Sequence, residues 1–236
     1  MSVEEPNYEV DVQIEIPLGS NIKYEYDHNT HELRVDRVLH SPVIYFFNYG
    51  YIPNTLSGDG DPLDAIVLCK ESLMPTCLVR CKMLGVLHTT DESGEDDKVI
   101  LVPIDKVDRE SEGYNDITDV KQFTQEKLKC FFKDYKKMEA GKWVKIDETI
   151  GNKEKAIKVF NESIEMYRSQ SAHNVAHDAE VNNLCKGLSR TSCEAACTEF
   201  CAVQCKESCE ASCAEFCAVS CEELCNETHE KTCGKF

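Results

Sequence analysis

Three carboxylates lie within six residues in the segment Asp59-Gly60-Asp61-Pro62-Leu63-Asp64. Like charges at this range repel each other unless a cation neutralises them. Carboxylate oxygens are the ligands that a hard divalent cation such as Mg²⁺ prefers, and such a cation keeps positions open for substrate phosphate. The alternative is an Asp-Gly turn on a solvated loop, but the apolar run 65–69 follows at once and is typical of a buried strand. The segment therefore predicts a metal site at the start of a core strand.

A second acidic cluster, residues 91–97, precedes Lys98 between two predicted strands. By itself this cluster is typical of a solvated hairpin turn, because the Ser-Gly at its centre is ordinary turn chemistry. If both clusters converge on one end of a barrel, they can hold two or more metals bridged by water, an arrangement that suits in-line displacement at phosphorus. The sequence leaves both interpretations open.

Cationic ligands for phosphate are the other requirement of such a site. The candidates are basic or hydroxyl side chains on predicted strands, near them or on the first predicted helix: Lys23, Arg37, Tyr45, Tyr49, Lys98, Tyr135 and Lys136. Each alone is more typical of a surface charge or a core tyrosine. Together they indicate an anion site, since Lys and Arg neutralise phosphate charge and tyrosine hydroxyls donate to oxyanions.

Alternating apolar residues predict the strands that must position these side chains. Besides the run 65–69, the predicted strands cover residues 10–16, 22–26, 33–39, 78–87 and 99–103. In the third of these, Arg37 is in phase with the apolar Leu33 and Val35, so it lies either in a structural ion pair or at the mouth of a site. This number of short strands is typical of a small barrel or sandwich.

Two helices follow the strands. The first is predicted over about residues 124–140, with Met138 on its apolar stripe and Gly141 as the C-terminal stop. The second is predicted over about residues 153–168, where apolar residues recur at helical spacing. The polar segment 169–187 is predicted to be a linker.

The composition limits the classes of partner. The formal net charge of -17 argues against nonspecific binding to nucleic acid or to an anionic membrane. The N-terminal residues lack the features of a signal peptide, and no apolar run reaches the roughly 18 residues of a membrane span. We therefore expect a soluble, cytoplasmic protein with neither a nucleic-acid nor a membrane partner. In that compartment its 15 cysteines are expected to be thiols or metal ligands rather than structural disulfides.

Several motifs occur in one collinear order. They are Ile14-Glu15-Ile16-Pro17, Ile22-Lys23-Tyr24-Glu25, Val35-Asp36-Arg37, Asn48-Tyr49-Gly50-Tyr51, the segment 59–64, Thr90-Asp91-Glu92-Ser93-Gly94-Glu95-Asp96 and Gly141-Lys142-Trp143-Val144-Lys145. On these motifs the region from about Val10 to Arg168 resembles the family I soluble inorganic pyrophosphatases, particularly the short bacterial type. Independent motifs in register are much stronger than one short match. The local departure is Phe46-Phe47, where that family often has Pro followed by a small residue.

The resemblance implies a fold and an activity. The fold is mainly β with α, a five-stranded OB-like β-barrel with two packed helices. The activity is Mg²⁺-dependent hydrolysis of pyrophosphate to two phosphates by direct attack of a metal-activated water or hydroxide, without a covalent phosphoenzyme. A homo-oligomer is also implied, with a hexamer expected for a core this short and a dimer as the other option.

The resemblance also assigns roles position by position. The implied metal ligands are Asp59, Asp61, Asp64, Asp91 and Asp96, supported by Glu15 and Glu25. Asp61 would also orient or deprotonate the attacking water, and Tyr49, Lys136 and Arg37 would take part in catalysis. The implied pyrophosphate ligands are Lys23, Arg37, Tyr45, Lys98, Tyr135 and Lys136.

The C-terminal region is not explained by this resemblance. Cysteine recurs at every fourth residue from Cys193 to Cys225, and residues 193–208 and 209–224 form a 16-residue repeat. The absence of Gly and Pro from residues 188–233 predicts a helix. On a helix each such step advances about 40° beyond a full turn, so the cysteines wind around the axis instead of forming one stripe.

The sequence thus divides into a pyrophosphatase-like domain 1–168, a linker 169–187 and a Cys-rich extension 188–236. The extension could ligate Zn²⁺ or another soft metal, pack its thiols at a helix or oligomer contact, or form disulfides. The four cysteines of the pyrophosphatase-like domain are predicted to be packing residues: Cys69, Cys77, Cys81 and Cys130. The alternative function is a pyrophosphatase-like scaffold that acts mainly as a metal-binding or interaction protein through this extension. The intact acidic and basic sets favour the enzyme.

Overall fold

The computed structural model describes residues 8–185, with side chains up to residue 172. In chain order the strands are β1 (Glu9–Ile16), β2 (Ile22–Asp27), β3 (Glu32–Val38), β4 (Asn48–Tyr51), β5 (Asp64–Val67), β6 (Leu78–Leu87), β7 (Thr89–Asp91), β8 (Gly94–Glu95), β9 (Lys98–Pro103), β10 (Val144–Ile146) and β11 (Gly151–Asn152), and the α-helices are α1 (Gln122–Asp134) and α2 (Lys153–Cys185). The chain divides into two units between Tyr167 and Arg168. None of the described helices is long and apolar enough to cross a membrane.

Five strands close into a barrel. Their order is β1-β4-β5-β9-β6, and β6 pairs back with β1. A register shift between Ile14 and Ile16 lets β1 pair with β4 at its C-terminal end and with β6 along the rest. All neighbours are antiparallel except β5 and β9, which run parallel with Asp64 opposite Lys98. This architecture confirms the predicted five-stranded barrel with two helices.

Smaller sheets flank the barrel and complete the described fold. β2 and β3 form a two-stranded hairpin, β10, β7 and β8 form a three-stranded sheet, and β11 adds to the barrel strand β6. The strand β4 was not among the predicted strands, because its four residues are too few to show alternation. All four are buried.

The barrel strands bury side chains on both faces, and each helix covers one of the two resulting clusters. Ile66 of β5 lies in the cluster that α1 covers with Phe131 and Phe132. Its neighbour Ala65 lies in the second cluster, together with Ala156 of α2. Burying side chains as large as Phe or Ile stabilises the fold by about 1.5–3 kcal/mol each before the entropy of ordering is subtracted.

The β2–β3 hairpin differs from the prediction. Val35 was expected on a buried face, but it is 60% exposed, because β3 pairs with β2 outside the barrel and has no sheet behind it. The in-phase Arg37 is partly buried, with 21% of its side chain exposed. The expected burial is therefore wrong for Val35, although Leu39 at the end of the predicted strand is buried. Of the two alternatives left open for Arg37, the structure shows the ion pair.

The first helix ends earlier than predicted. α1 stops at Asp134, and the N–H groups of Lys137 and Glu139 then donate to carbonyls three residues earlier at 3.2 and 2.9 Å. The chain thus continues in tight turns rather than as an α-helix. Met138 is consequently 64% exposed, and its expected place on the apolar stripe is wrong.

The second helix is longer than predicted. α2 continues to Cys185, so most of the segment 169–187 is helical. Neither Gly nor Pro occurs within residues 153–185, and a polar composition alone does not end a helix. The cysteine repeat and its predicted helix lie outside the described residues.

The four cysteines within residues 8–172 are free thiols. Cys81 is buried, and Cys69 and Cys77 pack against the same apolar cluster, as expected for packing residues. Burial raises the pKa of Cys81 well above its usual range, which keeps this thiol protonated and unreactive. Cys130 on α1 is exposed, so the packing role predicted for it is wrong.

Candidate active site

A cavity of about 310 Å³ lies among β1, β2, β4, the loop before β5, the β7–β8 hairpin and the end of α1. Its charged walls carry eight carboxylates and four lysines, together with His28: Glu15, Glu25, Asp59, Asp61, Asp64, Asp91, Glu92, Asp96, Lys23, Lys98, Lys136 and Lys142. The carboxylates outnumber the lysines, so the side chains of the cavity carry an excess of negative charge. The two acidic clusters of the sequence therefore meet in space.

The loop that carries Asp59 and Asp61 is fixed by its own hydrogen bonds. The buried hydroxyl of Thr55 accepts from the N–H of Leu63 at 2.9 Å. The Asp61 N–H donates to Asp59 Oδ1 at 3.1 Å, and Gly60 between them has φ of 93°, which favours glycine. Segment 59–64 thus forms an Asp-Gly turn and also lines the cavity, so the two interpretations of its sequence are compatible.

Lys98 lies between two carboxylates at the floor of the cavity. Its Nζ donates to Asp64 Oδ2 and to Asp96 Oδ1, both at 2.6 Å, and only 1% of its side chain is exposed. Burial lowers the pKa of Lys98, but the charges of Asp64 and Asp96 outweigh it and raise the pKa above its usual range. The ammonium therefore stays charged. The hydroxyl of Tyr49 also donates to Asp64.

The β7–β8 hairpin brings the second acidic cluster to the opposite wall. Asp91 Oδ2 accepts from Lys136 Nζ at 2.5 Å, and Asp91 Oδ1 accepts from the Ser93 N–H at 2.7 Å. Although burial opposes it, the bond from Lys136 lowers the pKa of Asp91. Glu92 pairs with Lys142 at the rim. The second acidic cluster thus forms a hairpin turn and also contributes side chains to the cavity, so both interpretations of its sequence apply.

The β2–β3 hairpin forms a third wall. Lys23 donates to Glu25, and Glu15 of β1 accepts from the backbone N–H of Tyr26 at 2.7 Å. Burial raises the pKa of Glu15 to about 8, which the hydrogen bond from Tyr26 offsets only in part. This carboxyl is therefore costly to ionise unless a cation is present.

Other carboxyls of the cavity show the same effect. Burial raises the pKa of Asp59 and Asp61 above the usual value. It also raises the pKa of Asp96, in spite of the nearby Lys98. The cavity thus holds more carboxylates than lysines in a partly desolvated space, and such an excess of negative charge favours the binding of a cation.

The family model described as "Pyrophosphatase: Inorganic pyrophosphatase" matches residues 12–168 of this chain. The chain belongs to the inorganic pyrophosphatase family. The match begins within β1 and contains both acidic clusters, the other four barrel strands and the whole of α1, and it ends before the Cys-rich extension.

Relatives and solved structures agree with this membership. The inorganic pyrophosphatase of Nanoarchaeum equitans is 46% identical over 162 residues, which is 69% of this chain and 99% of that protein. That of Saccharolobus solfataricus is 49% identical over 138 residues, or 58% of this chain and 80% of the other. The solved inorganic pyrophosphatase of Helicobacter pylori superposes with a TM-score of 0.67 at 44% identity, covering 71% of this chain and 98% of that one.

Thirteen of the fourteen site residues implied by the pyrophosphatase resemblance line the cavity. The fourteenth, Arg37, does not line it. Its Nε donates to Glu139 Oε1 at 2.8 Å, and its guanidinium also pairs with Asp36. The structure therefore holds Arg37 beside the site, in contact with the segment that follows α1.

Sequence reasoning missed several wall residues. Tyr51, Glu92 and Lys142 line the cavity, although no role was assigned to them. All three fall inside the pyrophosphatase-like motifs, so the motifs contained the signal. His28 lies outside every motif, and its place in the wall depends on its edge contacts with Tyr26 and Tyr51 at centroid distances of 5.2 and 5.0 Å.

The donor chemistry of the cavity fits a hard divalent cation. Carboxylates are the ligands that Mg²⁺ prefers, and a bound cation would lower the raised pKa values of Glu15, Asp59 and Asp61. Within residues 8–172, no three His, Cys, Asp or Glu side chains lie close enough together to hold one metal ion. Lys98 occupies the space between Asp64 and Asp96.

Proposed function

We propose that this chain hydrolyses inorganic pyrophosphate to two phosphates in the cavity described above, with Mg²⁺ as cofactor. The observation that supports this most is the meeting of eight carboxylates and four lysines in one cavity. The carboxylates suit cations, and the lysines suit the phosphate groups that those cations accompany. The family membership supports the same substrate.

Asp61 is the proposed acceptor of the proton from the attacking water. Water adds to one phosphorus, the bond from that phosphorus to the bridging oxygen breaks, and the bridging oxygen leaves on the second phosphate. Asp61 lines the same cavity as the lysines proposed to bind phosphate, and a carboxylate within hydrogen-bond reach of the attacking water can act as its general base. Ser, Cys and His nucleophiles are not needed, because water attacks directly.

Lys98, Lys136 and Tyr135 are the proposed stabilisers of the leaving phosphate. Lys136 is held by Asp91 at 2.5 Å, and its pKa is raised to about 12 by Tyr135 and Asp91 in spite of burial. Both lysines thus stay charged, as stabilisation of a developing oxyanion requires. Lys23 and Tyr45 complete the proposed pyrophosphate contacts.

The residues proposed to hold Mg²⁺ are Asp59, Asp61, Asp64, Asp91 and Asp96, supported by Glu15 and Glu25. When bound there, Mg²⁺ would neutralise phosphate oxygens and lower the pKa of water. Lys98 must then share Asp64 and Asp96 with the cation. Contact between Arg37 and substrate would require the guanidinium to leave Glu139, because Arg37 does not line the cavity.

Phosphate release from pyrophosphate tests the proposal. Purified full-length protein is assayed with Mg²⁺ and with EDTA, and Asp61→Ala is assayed beside Asp11→Ala, which removes an exposed carboxylate of β1. We expect Mg²⁺-dependent turnover in the wild type and Asp11→Ala, and its loss in Asp61→Ala. Absence of turnover in folded, Mg²⁺-loaded wild type rejects the proposal.

The cysteine spacing favours a second function, ligation of a soft metal by the extension. The run from Cys193 to Cys225 places a thiol at every fourth residue, and thiolates are the preferred ligands of Zn²⁺ and its heavier congeners. Titration of the reduced full chain with Cd²⁺ should produce thiolate-to-metal absorption at a fixed stoichiometry. A Cys→Ser variant across this run should lose it, and its absence in the wild type removes this candidate.

The family resemblance supports a homo-oligomer, with a hexamer as the expected state. Light scattering on the full chain measures its mass directly. A monomer across the accessible range of protein concentration contradicts the expectation.

A further inference from the structure

His88 and Asp97 flank the acidic hairpin β7–β8 but do not line the cavity. His88 Nδ1 lies 2.9 Å from Asp97 Oδ2. An ionised carboxylate only accepts, so the imidazole donates from Nδ1. The two side chains are 32% and 20% exposed, so the contact is partly shielded from water. A contact that is shielded from water stabilises the fold more than an ion pair on the fully exposed surface.

The pair stands where strand pairing between two segments is interrupted. On the barrel side, Leu87 of β6 pairs with Lys98 of β9. On the hairpin side, the N–H of Asp96 donates to the carbonyl of Thr89 at 3.0 Å. Between these contacts neither residue 88 nor residue 97 belongs to a strand. The side-chain contact bridges the two segments where strand pairing is interrupted, next to the bond that Thr89 Oγ1 donates to the carbonyl of Asp96.

The residues on either side of Asp97 are the ones that face the cavity. Side chains alternate along an extended chain, and Asp96 and Lys98 both line the cavity whereas Asp97 does not. A rotation of the backbone at Asp97 would therefore displace Asp96 and Lys98 together. Lys98 Nζ makes two contacts of 2.6 Å, so such a displacement would lengthen both of them.

We propose that His88 and Asp97 are positioning residues that hold Asp96 and Lys98 in place for a divalent cation and phosphate. The pair acts through the backbone of residues 96–98 and touches neither substrate nor cation. This inference rests on the proposed function, because it concerns the same cavity.

Substitutions at Asp97 test the inference. Asp97→Ala removes the acceptor, and Asp97→Asn keeps an oxygen that can accept from His88 while removing the charge. The matched control is Asp105→Ala, which removes the ion-pair partner, 2.6 Å away, of Lys82 on strand β6. Each full-length variant is measured for Mg²⁺ affinity by calorimetry without substrate, for the Mg²⁺ concentration that gives half-maximal phosphate release, and for Tm.

We expect Asp97→Ala to weaken Mg²⁺ binding by about tenfold, the lower end of the range seen for residues that support metal ligands. Asp97→Asn should stay within about threefold of the wild type, because the hydrogen bond is kept. Asp105→Ala should leave Mg²⁺ affinity unchanged. If Asp97→Ala fails to fold, His88→Phe removes the donor while keeping a ring, and should show the same weakening.

Unchanged Mg²⁺ affinity in Asp97→Ala overturns the inference, even if its Tm falls. Equal weakening in Asp105→Ala also overturns it, since the effect would then not depend on the hairpin. A wild type that binds Mg²⁺ but releases no phosphate rejects the proposed function alone, and calorimetry still decides the role of the pair.

Discussion

Lys98 and Asp64 stand opposite each other on the parallel strands β9 and β5, and Lys98 Nζ lies 2.6 Å from Asp64 Oδ2. The same ammonium lies 2.6 Å from Asp96. One buried cation thus joins the barrel to both acidic segments, and it keeps two carboxylates close together in the absence of metal.

Replacing Lys98 should therefore cost both stability and activity. Lys98→Met leaves Asp64 and Asp96 without their shared partner, and we expect the free energy of unfolding in EDTA to fall by about 3 kcal/mol. Urea denaturation measures this. Lys82→Met, which breaks an ion pair on the outside of the barrel, should cost about 1 kcal/mol or less. Equal losses in the two variants contradict the role given to Lys98.

The hydroxyl of Tyr49 should matter to turnover more than to folding. Tyr49→Phe keeps the buried ring but removes the bond to Asp64, so we expect kcat to fall by about tenfold or more with a small change in Tm. Tyr114→Phe, in a tyrosine outside the cavity, serves as the control and should behave as wild type. A Tyr49→Phe enzyme with unaltered kcat shows that Asp64 does not need this donor.

Metal-free protein should lose stability as the pH rises from about 4.5 to 8. Burial raises the pKa of Glu15 from 4.5 to about 8, so in this window the folded state binds a proton that the unfolded state has released. The free energy of unfolding then falls by about 1 kcal/mol per pH unit from this group. Urea denaturation in EDTA at several pH values measures the slope.

Glu15→Gln isolates the contribution of that carboxyl. The variant cannot ionise at this position, so the slope between pH 4.5 and 8 should become shallower. Saturating Mg²⁺ should have a similar effect in the wild type, because a bound cation favours the ionised form. Parallel slopes for wild type and Glu15→Gln in EDTA would show that Glu15 ionises normally.

Gly50 should tolerate no side chain. It pairs with Ile14 across β1 and β4, and a Cβ there would lie 1.9 Å from the carbonyl oxygen of Gln13. Gly50→Ala should lower stability by about 3 kcal/mol or more, since the contact is with backbone and cannot be relieved by a rotamer change. Gly58→Ala, whose Cβ would have its nearest contact at 3.5 Å, should be close to neutral in a Tm measurement.

The periodicity of the sequence predicted a small barrel or sandwich, and the motifs shared with the pyrophosphatases predicted the five-stranded barrel and most of the cavity wall. Alternation in β1 indicates a single buried face, because strand side chains alternate with a period of two, whereas the continuous apolar run of β9 belongs to a strand buried on both faces. The motif Asn48-Tyr49-Gly50-Tyr51 carried its site residues without revealing that they form a strand. The error at Val35 arose because apolar periodicity shows which residues share a face but not whether another element covers it. The error at Met138 arose because the helix ends at Asp134, before the apolar spacing ends.

By itself, the sequence determined a small barrel or sandwich, two helices, the acidic clusters and the cationic candidates, because these depend on local periodicity and on residue type, and the motifs shared with the pyrophosphatases supplied the five-stranded barrel. Only the tertiary structure decided which side chains meet. Lys98 reaches Asp64 because β5 and β9 are parallel neighbours, and Arg37 is held by Glu139, 102 residues away, because the hairpin lies against the segment after α1. Contacts between distant segments depend on how the strands pair and pack, and no local pattern encodes that.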